Sequence, residues 1–215
     1  MDTNHPPGWQ AALAHSQYLA QLLQARPELV PELVATWERP LDEELLRAPL
    51  QREFTDDDAV RSALRRLRQR AMAHIALRDL CGLAPLSEVV ESMTLLADVT
   101  TNFALDHYHR QLVATHGEPL DSQGRPQRML IIGMGKLGGR ELNVSSDVDY
   151  IFIYPEDGDT AGPKCIENFD FFNRLGKRII GALGDLTADG QVFRVDMRLR
   201  PNGDSGPLVC SLDAL

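Results

Sequence analysis

The segment from Arg128 to Tyr154 constrains this chain more than any other. It opens with a short apolar run at 129–132, whose length and β-branched content predict a buried strand. A glycine-rich turn follows, and a second apolar run begins after a short polar segment, with Asp147 and Asp149 at its start. Because side chains alternate along a strand, these two aspartates share a face, with their Cα atoms roughly 7 Å apart. Like charges at that distance repel each other, so the pattern predicts a bound metal cation.

The glycine-rich turn has two interpretations, and its spacing distinguishes them. Residues 133–138 read GMGKLG, which fits the G-x-G-x-x-G fingerprint of dinucleotide-binding folds. A crossover between parallel strands needs a dozen or more residues, yet only residues 139–146 separate this fingerprint from Asp147. Three of those eight residues are Asn or Ser, which are poor helix formers. The spacing disfavours a dinucleotide site, although Glu156 and Asp157, at the end of the second run, keep that interpretation open.

A second informative element lies at 191–200, where apolar and charged residues alternate without a break. The alternation predicts a strand with one apolar and one open face. Its open face carries Asp196 among three arginines, and from this strand alone an exposed edge laced with ion pairs is the simpler interpretation. Together with Asp147 and Asp149, Asp196 instead supplies a third carboxylate to one site.

Three carboxylates are typical ligands of Mg²⁺, which prefers hard oxygen donors and binds through a few carboxylates plus substrate phosphates. Two such ions roughly 4 Å apart can clamp the attacking and leaving oxygens of a displacement at phosphorus. We therefore predict that Asp147, Asp149 and Asp196 are the metal ligands and catalytic residues of a phosphorus-transfer site.

The residues around these acids are suited to phosphate. Glycines let backbone N–H groups approach phosphate closely, and a helix N-terminus just after them favours anions. Lysine adds a point charge, arginine can bind two phosphate oxygens at once, and serine either bonds a phosphate or caps the turn. The predicted nucleotide- and phosphate-binding residues are Gly133, Gly135, Lys136, Gly138, Ser145, Ser146, Arg198 and Arg200.

Composition narrows the functional class. A net charge of −9 and a pI near 5.1 argue against a general nucleic-acid binder, while a metal ion can still carry a nucleotide phosphate. The three cysteines form no CxxC pair and are odd in number, which favours a reducing cytoplasm over a disulfide framework. Without a signal-like N-terminus or an apolar run of membrane-spanning length, we expect a cytoplasmic protein that does not associate with membranes.

The sequence also predicts an α+β protein, in which a helical N-terminal region precedes a core of strands and helices. Helices are expected over Trp9 to Ala25, from a cap at Thr55 to about Cys81, and from a cap at Ser87 to about His116. The polar loop 117–127 is the clearest boundary, so we predict a helical region at 1–117 and a catalytic core at 128–215. A further helix is expected from Ile166 to about Asp185.

Arginines crowd the second predicted helix. A solvated face with salt links to acids upstream is the simpler interpretation, and a docking surface for an acidic partner is the alternative. The arginines concerned are Arg65, Arg66, Arg68 and Arg70.

The layout of glycine turn, D-x-D strand and later acid resembles the polymerase-beta-like nucleotidyltransferase fold, with Gly135-Lys136 where that family usually has Gly-Ser. Two longer strings, GMGKLGGRELNVSSDVDYIF and VFRVDMRLRPNGDSGPLV, are far more specific. They resemble the glutamine synthetase adenylyltransferase family. The resemblance extends to RQRAMAHIALRDLCGLAPL and LVATHGEP upstream, and so covers most of the chain.

Members of that family are long bifunctional enzymes with two nucleotidyltransferase domains. The N-terminal domain removes AMP from a tyrosine of glutamine synthetase by phosphorolysis, giving ADP, and the C-terminal domain attaches AMP from ATP. GMGKLGG with ELN, about 130 residues after the initial Met, resembles the N-terminal, adenylyl-removing copy. We therefore expect an N-terminal fragment of such an enzyme, truncated within its catalytic core.

The resemblance implies Mg²⁺ as cofactor, bound at Asp147 and Asp149 by motif and at Asp196 less directly. It implies glutamine synthetase, inorganic phosphate, ADP or ATP and a PII-type signalling protein as partners. Three alternatives stay open: transfer of AMP from ATP to the tyrosine, a non-catalytic module that binds glutamine synthetase or a PII-type regulator, and a dinucleotide-binding oxidoreductase.

Overall fold

The computed structural model describes residue 5 and residues 7–214. It is an α+β protein with a small mixed sheet and flanking helices, which confirms the predicted fold class. The helices are α1 (Trp9–His15), α2 (Gln17–Ala25), α3 (Leu29–Thr36), α4 (Glu43–Arg47), α5 (Asp57–Leu80), α6 (Leu86–His116), α7 (Gly135–Gly138) and α8 (Asn168–Gly184). The strands are β1 (Leu130–Met134), β2 (Val148–Tyr154), β3 (Val195–Asp196) and β4 (Val209–Ser211).

The chain forms two compact units. The first comprises Met1–Val99 and Arg140–Ser145, and the second comprises Thr100–Gly139 and Ser146–Leu215. Packing within the chain does not test whether 1–117 and 128–215 are independent domains, so that division stays a prediction.

The first unit is built around α5. Helices α1, α2 and α3 bury a cluster of apolar side chains that includes Trp9, Leu19 and Leu33 against Leu77 of α5. The predicted single helix from Trp9 to Ala25 is wrong, because Ser16 adopts an extended conformation and its side chain accepts a hydrogen bond from the Leu19 N–H. This cap ends α1 and begins α2.

The two long helices begin within two residues of their predicted caps. Asp56, and not Thr55, caps α5, because its Oδ1 accepts a hydrogen bond from the Ala59 N–H at 2.8 Å. Helix α6 already includes Leu86, so Ser87 lies inside it. The predicted ends are correct, since Gly82 and Gly117 follow the two helices with φ of 71° and 83°, a conformation that favours glycine.

The arginines of α5 are not one solvated face. Arg65 is buried, with 1% of its surface exposed, and donates a hydrogen bond to the Arg61 carbonyl oxygen. Arg70 pairs with Glu32, and Arg66 is exposed. The simpler interpretation was therefore wrong for Arg65, whose long side chain is used for packing.

The second unit contains the sheet, with β2 at its centre. Strand β1 pairs with β2 antiparallel, whereas β3 and β4 pair with it in parallel. Helix α8 covers one face, where Gly176 lets the helix approach Phe152 so closely that an added Cβ would lie 2.9 Å from the ring. Phe171 and Phe172 fill the same core.

Two strand predictions need correction. The run 129–132 was predicted as a buried strand, but β1 lies at the sheet edge, and Leu130 and Ile132 are 46% and 41% exposed. Of the strand predicted over 191–200, only Val195 and Asp196 form a ladder. The strand ends there because the Asp196 side chain accepts the Arg198 N–H at 2.8 Å and turns the chain.

Within the described residues, every helix is too short or too polar to cross a lipid bilayer.

Candidate functional site

The parallel pairing of β2 with β3 brings together acids that lie 47 positions apart in the sequence. Asp149 and Asp196 are direct register partners, as are Val148 and Val195. Neighbouring strands lie roughly 4.8 Å apart, and partners in a ladder point to the same face. Asp147 lies just before β2, two residues from Asp149. The three predicted acids therefore cluster at the start of the central strand.

Gly135 holds the glycine turn against this cluster. It begins α7 with φ of 54°, and an added Cβ would lie 3.1 Å from Oδ2 of Asp149. The turn itself is tight, because a Cβ on Gly138 would lie 2.5 Å from the Gly133 carbonyl oxygen. The glycines thus place backbone, without side chains, beside a carboxylate.

Asp149 is electrostatically strained. Burial raises its pKa above the usual range, and the negative charges of Asp196 and Asp147 raise it further, while Arg198 opposes them. No described residue donates a hydrogen bond to its carboxylate. A partly buried acid beside two others, without a donor of its own, is a position where a cation would be stabilising.

The other two acids have arginine partners. Arg198 donates to Asp196 from its backbone N–H and its guanidinium group, and these hydrogen bonds hold the pKa of Asp196 below its usual value. The Arg194 Nε lies 2.5 Å from Oδ1 of Asp147. This ion pair engages the buried Oδ1 of Asp147, although the contact lacks hydrogen-bond geometry. Arg194 as a partner of Asp147 was not predicted, although it shares the open face of residues 191–200 with Asp196.

These residues fit a magnesium ion in donor chemistry but are not arranged around one. Among the described residues, no group of three or more His, Cys, Asp or Glu side chains is arranged to hold a metal ion. The physical reason is that Asp147 and Asp196 are directed to their arginines. The Asp149 carboxylate, which has no donor among the described residues, is the one of the three that would most favour a cation.

The predicted phosphate-binding residues differ in availability. Lys136 is exposed on α7 and makes no ion pair or hydrogen bond with a described residue. The Arg198 guanidinium is occupied by Asp196. Arg200 donates to the Met197 carbonyl oxygen at 2.7 Å and so stabilises its own turn. A phosphate role for each of them stays a prediction.

The serines lie on the loop before β2. Ser145 donates from its backbone N–H and its hydroxyl to Oδ1 of Asn143, at 3.3 and 3.4 Å. These contacts make Ser145 a turn-stabilising residue, which was one of the two roles expected for it. Ser146 is half-buried and has a partner of its own, and its role in phosphate binding stays a prediction.

The dinucleotide interpretation is wrong. A dinucleotide-binding unit needs two parallel strands joined by a helical crossover. Here the strand before the glycines, β1, is antiparallel to β2, and the helix between them, α7, has four residues.

Sequence reasoning did not anticipate the apolar surface beside the acids. By register, Ile132 pairs with Ile151 and Met134 with Asp149, so these residues share the carboxylate face of the sheet. The apolar run signalled a strand, but a run of four apolar residues does not show which of its two faces is covered.

Arg140 was also missed. It lies in the left-handed region with φ of 56°, which is uncommon for a residue with a side chain. Its guanidinium group donates to Glu91 at 2.5 Å and to Asp98 at 3.3 Å, all within the first unit. The only sequence signal was an arginine directly after two glycines.

Comparison with known proteins identifies the family. The family model described as "Glutamate-ammonia ligase adenylyltransferase" matches residues 9–215. The chain belongs to this family. Among its relatives, the bifunctional glutamine synthetase adenylyltransferase/adenylyl-removing enzyme of Aromatoleum aromaticum is 52% identical over 210 residues, covering 98% of this chain and 22% of the relative. The enzymes of the same name from Bordetella pertussis and Chromobacterium violaceum are 47% and 49% identical, over 97% and 98% of this chain and 23% and 24% of theirs.

The adenylyltransferase family match therefore includes every predicted site residue, from Gly133 to Arg200. The chain spans less than a quarter of the length of these relatives.

Proposed function

We propose that this chain carries a magnesium-dependent nucleotidyltransferase site that removes AMP from an adenylylated tyrosine of glutamine synthetase. The observation that supports this most is the register pairing of Asp149 with Asp196 beside the Gly135 turn. The names of the relatives supply the substrate, glutamine synthetase, and the two reactions, adenylylation and adenylyl removal. Assignment to the removal reaction rests on the resemblance of the glycine motif to that of the N-terminal, adenylyl-removing domain of the family.

In the proposed reaction, inorganic phosphate attacks the α-phosphorus of adenylyl-tyrosine. A bond forms between a phosphate oxygen and that phosphorus, the bond to the tyrosine oxygen breaks, and ADP and tyrosine are released. The leaving phenolate has a pKa of about 10, so no strong general acid is required. Mg²⁺, when bound, supplies the screening of phosphate charge that lets two anions approach each other.

The side chains of this site have separate roles in the proposal. Asp149, Asp196 and Asp147 would hold the metal, since their oxygens are the ones that the strand pairing assembles. Ligation of Asp196 competes with its hydrogen bonds from Arg198, so the guanidinium group becomes free to bind a phosphate oxygen. Lys136 and the N–H groups of the first turn of α7 would bind the attacking phosphate or the AMP phosphate.

Asp149→Asn tests the proposal. We expect the purified chain, supplied with adenylylated glutamine synthetase, phosphate and Mg²⁺, to release ADP, and the variant to do so about 100-fold more slowly or worse. Asp170→Asn, the same change at an exposed acid of α8, is the matched control and should leave the rate unchanged. Equal ADP release by the Asp149→Asn variant and the unmodified chain would exclude this site.

The reverse reaction, transfer of AMP from ATP, is the second candidate, because the relatives are named for both activities. Supplying ATP with unmodified glutamine synthetase separates it from phosphorolysis. A chain inactive in both directions, whose β2 amides gain no protection from hydrogen exchange in Mg²⁺, would be a binding module instead. A PII-type partner and a cytoplasmic location stay predictions.

A further inference from the structure

The first unit contains a cavity of about 330 Å³ that has no part in the proposed reaction. It lies where α5 faces α3 and the segment around Pro49, and we call it the arginine pocket. Its charged lining comprises four arginines, Arg26, Arg52, Arg66 and Arg70, and two glutamates, Glu28 and Glu32. Four guanidinium groups against two carboxylates leave the pocket a net charge of +2, in a chain whose net charge is −9.

Two of these arginines lack an acidic partner. Arg66 is exposed and makes no hydrogen bond or ion pair with a described residue. Arg52 lies 5.0 Å from the centre of the Phe54 ring, a cation–π contact that holds the side chain but leaves its charge unneutralised. Arg70, by contrast, pairs with Glu32 at 2.9 Å. At least two guanidinium groups of the pocket are therefore available to bind an anionic ligand.

The floor of the pocket is apolar and firmly packed. Leu67 is 1% exposed and Leu29 8% exposed, and Ala63 and Pro49 complete the lining. Leu67 and Ala63 belong to α5, whose neighbouring turns also carry Arg66 and Arg70. Because α5 is held in place by these buried apolar residues, its arginines lose less conformational entropy on binding a ligand than arginines on a mobile loop would.

We propose that the arginine pocket binds a small organic anion with at least two negative charges, such as a dicarboxylate or an organic phosphate. A planar carboxylate and a tetrahedral phosphate each present two oxygens that a guanidinium group can bind through two hydrogen bonds. The volume suits a small metabolite, near the lower end for ligand sites, and is too small for a folded partner. An apolar floor beneath charged walls accommodates a short carbon chain between the two acidic groups.

Calorimetric titration of the 215-residue chain tests the proposal, with succinate and pyrophosphate as separate probes in buffer passed over a chelating resin to exclude metal-dependent binding. We expect saturable binding of at least one probe with Kd below about 1 mM, weakening as salt is raised. Which probe binds decides between carboxylate and phosphate. Succinamide, which has the shape of succinate without its charges, should not bind.

Variants locate the binding. Arg66→Ala and Arg52→Ala should each weaken it at least about tenfold, and both changes are at exposed side chains that support no described ion pair. Arg47→Ala, at an exposed arginine of α4 outside the pocket, is the matched control and should bind as the unmodified chain does. Absence of saturable binding for both probes overturns the proposal, and so does binding that neither pocket variant weakens.

Discussion

At the scale of single residues, Asp149 is an acid whose surroundings favour its neutral form. Its raised pKa means that ionisation costs more in the folded chain than in the unfolded one. The stability cost begins as pH rises above the ordinary aspartate value and is complete above the raised folded pKa. The ionisation of Asp196 has the opposite effect on stability. Its pKa is depressed, so its charge adds stability that is lost as pH falls through that lowered value.

We therefore expect Asp149→Asn to stabilise the second unit at neutral pH in the absence of divalent cations. The gain should be about 0.5–1 kcal/mol, the size of charge interactions between directly opposed strand residues. Calorimetric melting at pH 7 with EDTA measures it, together with exchange of the β2 amides.

Two controls make this test specific. Near pH 3, the variant and the unmodified chain should converge, because Asp149 is then largely protonated in both folded and unfolded states. Added Mg²⁺ should raise the melting temperature of the unmodified chain more than that of the variant. A lower melting temperature for the variant at pH 7 would mean that the Asp149 charge is compensated in a way the structure does not show.

Gly135 gives a second prediction at this scale. Alanine there meets two penalties, a left-handed backbone that costs about 1–2 kcal/mol and contact with the Asp149 carboxylate. Gly124→Ala is the matched comparison, since Gly124 has φ of 75° but open space where a Cβ would lie. We expect Gly135→Ala to lower the free energy of unfolding more than Gly124→Ala, and to lower ADP release while Gly124→Ala leaves it intact. Equal effects in both assays would show that Gly135 is needed for backbone freedom alone.

At the scale of elements, one buried ion pair joins α5 to the start of α6. Arg78, 5% exposed, donates to Glu88 from Nε at 2.6 Å and from Nη2 at 3.1 Å, and its Nη1 donates to the Trp37 carbonyl oxygen. The same guanidinium group therefore fixes the end of α3. Removal of one partner from a buried pair leaves a desolvated charge behind, and this is usually costly.

Arg78→Ala should lower the free energy of unfolding of the first unit by about 3 kcal/mol or more. Denaturant titration followed by tryptophan fluorescence reports on this unit alone, because the two tryptophans, Trp9 and Trp37, both belong to it. Arg47→Ala removes an exposed pair with Glu43 and should cost less than about 0.5 kcal/mol. If both substitutions shifted the midpoint equally, the Arg78 pair would be no stronger than a surface pair.

The elements also show how far local patterns reach. Helices α5 and α6 follow from periodicity and glycine stops, and α8 follows from periodicity alone. The errors are confined to a residue or two at the ends. Residues 191–200 alternate as a strand should, yet only Val195 and Asp196 pair with β2. The chain after Asp196 turns away because the Asp196 carboxylate accepts a backbone N–H two residues on. The hydrophobic period indicates which side chains are apolar. It does not indicate where a side chain forms a hydrogen bond to the backbone in place of the strand ladder.

At the scale of the whole molecule, the predicted fold class and family are confirmed, and the three predicted acids lie together, while their role as metal ligands stays a prediction. Motif and spacing were enough to select Asp147, Asp149 and Asp196. The arginine partners of two of them, and the exposure of β1, depend on long-range pairing that neither motif nor period encodes. The arginine cluster of α5 illustrates the same limit, since Arg65 is buried while Arg66, its neighbour, faces the pocket.

The exposure of Leu130 and Ile132 affects how the purified chain will behave. Both side chains are exposed to solvent on an edge strand, and an exposed edge strand with an apolar face can pair with a strand of a second molecule. Dilute samples should therefore contain monomers, and concentrated samples should contain dimers and larger species in sedimentation velocity runs. Kinetic and binding constants should accordingly be compared only at matched protein concentration, with charged substitutions at Leu130 as the means of keeping the chain monomeric.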